Sequence, residues 1–360
     1  MQLKRLVLRH FRNYAGATVE FCPGVNAICG TNAQGKTSLL EAIFLCVSGR
    51  SFRSPHLADL QQQGQPFFFV EAHFAKNGIE QRLRYGYDGK ERKITFNNTA
   101  CQSIAQLLGL LPGVVLTPDD IALVKGSPQL RRQYLDLQIA QANPLYLHHL
   151  VRYGRAMRQR NHLLRTRTLA TIETWEEEMA TSASYLAQHR EETVADLSTR
   201  AGACYDHLTQ EHEPLTLKYK CGAPLNKGVD ALMGYYRERY AQQRPREMEL
   251  GWTTTGPHKD DLIINIEGKA GRFFASEGQQ RSCVAALRLA EWQRLRDQCG
   301  HQPLLIVDDV AVSLDEGRRG RLLDMLGSFG QVFLSSAQKL KSELSSAQFF
   351  HVQAGQISPD

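Results

Sequence analysis

The chain has 360 residues, 42% apolar and 22% charged, the proportions of a folded protein with room for two domains or for one domain carrying an insertion. A formal net charge of +6 permits a basic patch but falls well short of a histone-like balance. No run approaches the roughly eighteen consecutive apolar residues of a membrane span, and Met1–Leu6 has no apolar signal segment, so a cytoplasmic protein without a membrane partner is expected. The eight cysteines form no C-x-x-C pair, which leaves a zinc site unsupported and reads as reduced thiols.

In chain order, Leu6 and Leu8 alternate with polar neighbours as in a half-buried strand. Val25–Cys29 is a second strand-like run. It leads into Gly30-Thr31-Asn32-Ala33-Gln34-Gly35-Lys36-Thr37, after which Ser38–Leu45 has helical apolar spacing. Strand, glycine loop and helix together are the context of a phosphate-binding loop. Glycines let backbone N–H groups turn toward phosphates, and the helix N-terminus adds a favourable dipole. Gly30, Asn32, Gly35, Lys36, Thr37 and Ser38 are therefore the candidate ATP-binding residues. Lys36 is assigned to the β- and γ-phosphates and the Thr37 hydroxyl to Mg²⁺.

Residues 66–96 read as antiparallel strands, Phe67–Val70 and Leu83–Tyr87, with turn signals at Asn77-Gly78 and Asp88-Gly89. From about 121 to 245 charge and Leu recur at helical intervals, with one strand-like run at Leu215–Tyr219 and no sustained heptad. From 246 onward strands and helices alternate again, with strands at Leu262–Ile266, Leu304–Val307 and Val332–Leu334. The expected organisation is an α/β P-loop ATPase head, built from residues 1–120 and 246–360, with mixed and antiparallel sheets. A mainly helical lobe at 121–245 is inserted in it.

Leu304-Leu305-Ile306-Val307 reads as a buried parallel strand that ends on Asp308-Asp309. Asp308 is the candidate metal ligand and Asp309 is placed to orient or deprotonate an attacking water. Two ionised carboxylates this close repel each other, a cost that a divalent cation reverses. Upstream, Ser276-Glu277-Gly278-Gln279-Gln280-Arg281 opens a helix whose N-terminus forms an anion-binding cap, with Ser276, Gly278 and Gln279 as candidates. A single P-loop already surrounds its own phosphates, so this cap suits the γ-phosphate held by a second subunit. A split nucleotide site of this kind suggests an ABC-type machine with ATP sandwiched between two copies.

The densest basic stretch runs from Arg152 to Arg160. Arg152, Arg155 and Arg158 fall three apart on one helix face, with Arg165 further along, and no acid lies near them in sequence. They are the candidate DNA contacts; the bland reading is a solvated helix face. No base-reading motif accompanies them, so any binding should be independent of sequence.

With these residues in place, the chain resembles the RecF family within the ABC-type ATPases of chromosome maintenance and repair. The resemblance is carried by Phe11–Tyr14, Gly30–Thr37, Gly49–Arg53, Thr117–Asp120, Lys125–Pro128 with Arg131-Arg132, Thr255–Asp261 and Ser276–Arg281, and spans essentially the whole chain. It implies an ATP-dependent homodimer with Ser276 and Gly278 of one copy capping ATP on the other. It also implies that Asp309 stands for the usual catalytic glutamate, and that Ser313-Leu314-Asp315 crosses the dimer interface. Weak, DNA-stimulated ATP hydrolysis is expected, together with binding at junctions of double- and single-stranded DNA. The partners it implies are RecR and RecO, with which such a protein helps load a recombinase at gaps. Ser38, Glu277 and Ser313 depart from the Asn, Gln and Glu usual in the family. Two other readings, a small-molecule kinase and a transporter's ATPase subunit, leave Ser276–Arg281 or Gly256–Asp261 unexplained.

Overall fold

The computed structural model describes residues 1–210, 213–309, 314–337, 343–344 and 346–359. The chain forms two compact units, one of Met1–Ile121, Cys204–His212 and Ser276–Asp360, the other of Ala122–Ala203 and Glu213–Ala275. The first unit opens with strands β1 (Gln2–Phe11), β2 (Tyr14–Glu20) and β3 (Val25–Cys29) and helix α1 (Lys36–Ser48). Strands β4 (Phe68–Lys76), β5 (Ile79–Tyr87), β6 (Arg92–Phe96), β7 (Thr99–Cys101) and β8 (Gly113–Leu116) follow. The second unit holds α2 (Ala122–Lys125), α3 (Pro128–Ala142), α4 (Pro144–Thr166), most of α5 (Ile172–Thr209), β9 (Leu215–Lys220), α6 (Val229–Leu250), β10 (Asp261–Ile266), β11 (Lys269–Ala270) and α7 (Gly271–Phe274). The chain then returns to the first unit with α8 (Glu277–Cys299), β12 (Leu304–Asp308), α9 (Glu316–Leu326), β13 (Gln331–Ser336), β14 (Gln348–Gln353) and β15 (Gln356–Pro359).

Two sheets and a central helix make the first unit. β1 and β4 alternate buried and exposed residues, as expected of strands with one face on the core, and lie in an antiparallel sheet of order β2-β1-β4-β5-β6-β7. The turns between its strands fall at Asn77-Gly78, both at positive φ, and at Asp88-Gly89. The second sheet, β15-β14-β3-β13-β12-β8, is parallel from β14 to β8. All five residues of β12 are buried, because a parallel strand covered on both faces has no side for water.

Helix α1 is buried on nearly every side, with Leu39, Leu40, Ile43, Leu45 and Val47 fully buried, and it contacts strands of both sheets. Each such side chain stabilises the fold by roughly 2 kcal/mol relative to exposure. Gln331 of β13 joins the sheets through polar contacts: it is buried, accepts from Leu3 N at 2.7 Å and donates to Leu3 O at 2.8 Å and Cys22 O at 2.9 Å.

The second unit is mainly helical. Ser127-Pro128 and Asn143-Pro144 start α3 and α4, each with proline in the first turn where its missing N–H costs nothing, and the Asn143 side chain accepts from Tyr146 N at 2.9 Å. The run at Leu215–Lys220 forms a strand as expected. It pairs with β10 along six residues, from Asp261↔Lys220 to Ile266↔Leu215. That pairing is why residues up to Ala275 belong to the second unit, beyond the limit of 245 read from composition. Among the described residues no helix is long and apolar enough to cross a membrane.

Candidate nucleotide site

In the parallel sheet β13 lies between β3 and β12, so the loop after β3 and the carboxylates after β12 emerge at the same, carboxyl edge of the sheet. Open α/β sheets place their ligands at this edge. The loop has the backbone its glycines permit: Gly30 has φ 155° and Gly35 φ 122°. A Cβ on Gly30 would lie 2.4 Å from Val352 O, and one on Gly35 would lie 2.6 Å from Asn13 Nδ2 and 2.9 Å from the Tyr14 hydroxyl. Neighbouring groups hold the loop carbonyls. Asn13 Nδ2 donates to Gln34 O at 2.8 Å, Gly355 N to the same oxygen at 3.1 Å, and the Tyr14 hydroxyl to Gly35 O at 2.9 Å. Ala354 N donates to Gln34 Oε1 at 2.7 Å. The buried Lys36 curls over the loop, Nζ donating to Thr31 O at 3.0 Å.

Thr37 and Asp308, far apart in sequence, meet here: Thr37 Oγ1 donates to Asp308 Oδ1 at 2.9 Å. Ser335, on the intervening strand β13, donates to the same oxygen at 2.6 Å and accepts from Asp309 N at 3.1 Å. One hydroxyl therefore fixes both carboxylate residues. Burial pushes the Asp308 carboxyl above its ordinary range, hydrogen bonds from Ser335 and Thr37 hold it back, and the Asp309 charge pushes it further up. Asp309 has φ 46°, a left-handed conformation uncommon for aspartate, and its Oδ1 is shielded from water with no hydrogen-bond partner among the described residues. A cavity of about 650 Å³ opens over these groups, lined by Asn32, Gly35, Lys36, Thr37, Ser38 and Asp309 together with Arg12, Asn13 and Arg53.

The donor set fits a hard divalent cation. Thr37, Asp308 and Asp309 offer only oxygen, one of those oxygens has no other partner, and no cluster of three His, Cys, Asp or Glu exists among the described residues to take a softer metal.

The chain matches the model of the RecF/RecN/SMC N terminal domain over residues 2–356. A "DNA replication and repair protein RecF" from Protochlamydia amoebophila (strain UWE25) is 52% identical over 337 residues, 93% of this chain and 94% of the relative. The chain belongs to the RecF family. Among solved structures, "the recombination mediator protein RecF-ATPrS in RecFOR pathway" superposes with a TM-score of 0.90 at 28% identity, over 99% of this chain and 98% of that one. An Smc head bound to the C-winged helix domain of ScpA superposes with a TM-score of 0.60 at 15% identity, over 100% of this chain and 97% of that one, a likeness of fold alone. The ABC-type head of the RecF and SMC proteins is thus the fold of this chain.

The third part of the expected site stands elsewhere. Ser276, Gly278 and Gln279 are not among the residues that line the cavity. Ser276 caps α8 in a reciprocal box, its hydroxyl accepting from Gln279 N at 3.2 Å while Ser276 N donates to Gln279 Oε1 at 2.8 Å. Both Ser276 and Glu277 are exposed. Ser313 lies outside the described residues, and Asp315 caps α9 by accepting from Arg318 N at 2.9 Å.

The basic face on α4 differs from its sequence reading in one respect. Arg152 is not free of acids: its guanidinium is held by both oxygens of Glu178 on α5, a residue distant in sequence. Arg155, Arg158 and Arg165 are exposed and form no ion pair among the described residues. Arg160, in the same run, is fully buried and donates to Glu247 Oε2 at 2.6 Å and Thr253 Oγ1 at 2.9 Å. Arg131 likewise holds Asp261 in a two-pronged pair at 2.7 and 2.9 Å.

Ser335 and the Ala354-Gly355 turn are the residues that sequence reasoning missed. The serine pair closing the apolar run Phe333-Leu334-Ser335-Ser336 was its one visible signal; the turn had none.

Proposed function

We propose that this chain is an ATP-gated DNA-binding protein of recombinational repair and replication restart. The observation that carries the reading is the convergence of Thr37, Asp308 and Ser335 beside the glycine loop, with the Ser276 cap outside that cavity. The loop N–H groups and Lys36 bind the phosphates of ATP. Mg²⁺, held by Thr37 and Asp308, would neutralise charge on the β- and γ-phosphates. Asp309 orients the attacking water and accepts its proton. Ser276, Gly278 and Gln279 of a second copy bind the γ-phosphate at the α8 N-terminus, where the helix dipole favours an anion.

ATP bound between two copies favours the closed dimer. Taking that equilibrium from 1:99 to 99:1 requires about 5.5 kcal/mol of preference, a magnitude within reach of two enclosed triphosphates. Slow, DNA-stimulated hydrolysis reopens it, so the output is conformational. The exposed Arg155, Arg158 and Arg165, with Arg152 in a lesser part because Glu178 neutralises it, contact the DNA backbone at double-/single-strand junctions. RecR and RecO are the partners with which the dimer loads a recombinase onto gapped DNA.

Mass in solution, with and without ATP, tests the reading. The native chain should dimerise only with ATP. Lys36→Met should lose nucleotide binding, and Ser276→Arg should bind ATP yet remain monomeric. A Ser276→Arg chain that dimerises normally refutes the sandwich.

A further inference from the structure

The stretch Thr255-Gly256-Pro257-His258-Lys259-Asp260-Asp261 takes no part in the nucleotide site. In the second unit its residues serve first as a buried polar junction. Pro257 O accepts from Arg190 at 2.7 Å, and Asp260 accepts from the Tyr219 hydroxyl with Arg190 at 3.9 Å. Asp261 is held by Arg131. His258 Nε2 lies 3.0 Å from Thr253 O, which can only accept, so Nε2 carries the proton and Nδ1 accepts from the Tyr153 hydroxyl at 2.6 Å. Gly256, at φ 130°, is required by this packing, since a Cβ there would lie 2.2 Å from the Tyr153 oxygen.

The other face of the same stretch opens onto a cavity of about 450 Å³, within the size range of small-ligand sites. Its walls are Lys220 and the Cys221-Gly222-Ala223 turn after β9, Tyr235, Tyr236 and Arg239 of α6, and residues 254–256 and 259–261. The charges on this wall do not balance. Both carboxylates, Asp260 and Asp261, are already engaged by arginines outside the cavity lining. The three cations, Lys220, Arg239 and Lys259, form no ion pair among the described residues. Lys220 and Lys259 are exposed at the rim, whereas Arg239 is half-buried and its Nε is shielded from water with no hydrogen-bond partner among the described residues. A guanidinium N–H deprived of both water and acceptor is costly, and an anion entering the cavity removes that cost. Thr255 adds a hydroxyl and Tyr235 an aromatic wall.

We propose that this cavity is a second anion site, separate from the glycine loop, that takes a phosphate group through Arg239, Lys220 and Lys259. Arginine and lysine converging on one oxyanion is the usual chemistry of phosphate recognition. The phosphate has two possible sources, a free nucleotide or the backbone of a DNA strand, and the test separates them.

The native chain, with its glycine loop kept saturated by Mg–ADP, is titrated calorimetrically with inorganic phosphate, with AMP and with a duplex oligonucleotide. The same is done for Arg239→Gln, and for Lys90→Gln as a control in an exposed turn of the other unit. Loss of one charge-assisted contact should weaken the bound probe by about tenfold or more in Arg239→Gln and leave the control unchanged. AMP binding lost in Arg239→Gln, with duplex binding intact, assigns the site to a free nucleotide. Duplex binding lost, with AMP failing to compete, assigns it to a DNA phosphate. Equal binding of all three probes by Arg239→Gln and the native chain, or no binding beyond the saturated loop, overturns the proposal. Should Arg239→Gln melt early, Lys220→Gln at the exposed rim reads the same contact without disturbing the interior.

Discussion

Gly35 shows how much one atom decides at this site. Its φ of 122° is a conformation that L side chains rarely adopt, and a Cβ there collides with the two groups, Asn13 and Tyr14, that hold the loop from outside. Gly35→Ala therefore combines backbone strain of roughly 1–3 kcal/mol with displacement of those groups. The expected outcome is nucleotide binding weakened at least about tenfold with a folded chain, checked by titration of ATP against circular dichroism of the same sample. Asp309 pays a related conformational cost at φ 46°, and its Oδ1 has no hydrogen-bond partner among the described residues. The loop and both aspartates were legible from sequence because each motif is local: glycines at fixed offsets, or an apolar run ending in acid. Ser335 was not, because a serine pair at the end of an apolar strand does not say which group its hydroxyl will meet. Its role exists only because β13 is threaded between β3 and β12.

At the scale of elements, the terminal hairpin β14–β15 acts as a latch on the glycine loop. Ala354 and Gly355 donate to Gln34, and Val352 O closes over Gly30. Gly355 has φ 73°, and a Cβ there would lie 2.4 Å from Asn13 O. Gly355→Val should push the hairpin off the loop and weaken ATP binding about tenfold, although residue 355 touches no phosphate. Equilibrium dialysis checks this, and unchanged affinity rules out the latch. Helix α4 carries the opposite lesson. Its arginines at 152, 155 and 158 were correctly placed on one helix by spacing, yet Arg152 is engaged by Glu178 and Arg160 is buried. Partners brought from α5 and α6 cannot be read from the helix itself.

For the molecule as a whole, each unit encloses a carboxylate whose titration links stability to pH. In the first unit Glu291 is fully shielded, and burial pushes it up to about 7 against the pull of Arg288. In the second, burial pushes Asp260 up to about 6. A carboxyl raised in the folded state contributes stability that is full below its unfolded value and is lost as pH rises through the folded one. His258 works the other way. Burial lowers it to about 4, so its contribution is present above its ordinary 6.5 and is lost as pH falls toward 4. The two effects in the second unit partly cancel, and Glu291 is separated from the other raised carboxyls by its own substitution. Between pH 5 and 7.5 the native chain should lose on the order of 2 kcal/mol through this group, and Glu291→Gln should lose markedly less. Urea denaturation at both pH values measures the difference; parallel curves for the two proteins refute the assignment.

The sequence by itself marked the candidate stretches for phosphate and metal, which runs are strands or helices, and that the two halves of the candidate site come from opposite ends of the chain. These follow from local chemistry and from periodicity, which each segment carries alone. Only the tertiary structure decided that Thr37 and Ser335 share the Asp308 carboxylate, and that Glu213–Ala275 belongs to the second unit. It also decided that the Thr255–Asp261 stretch faces a cationic cavity. Each of these depends on strand order or on a partner from a distant segment, and pairing between segments is a property of the fold that no single segment encodes.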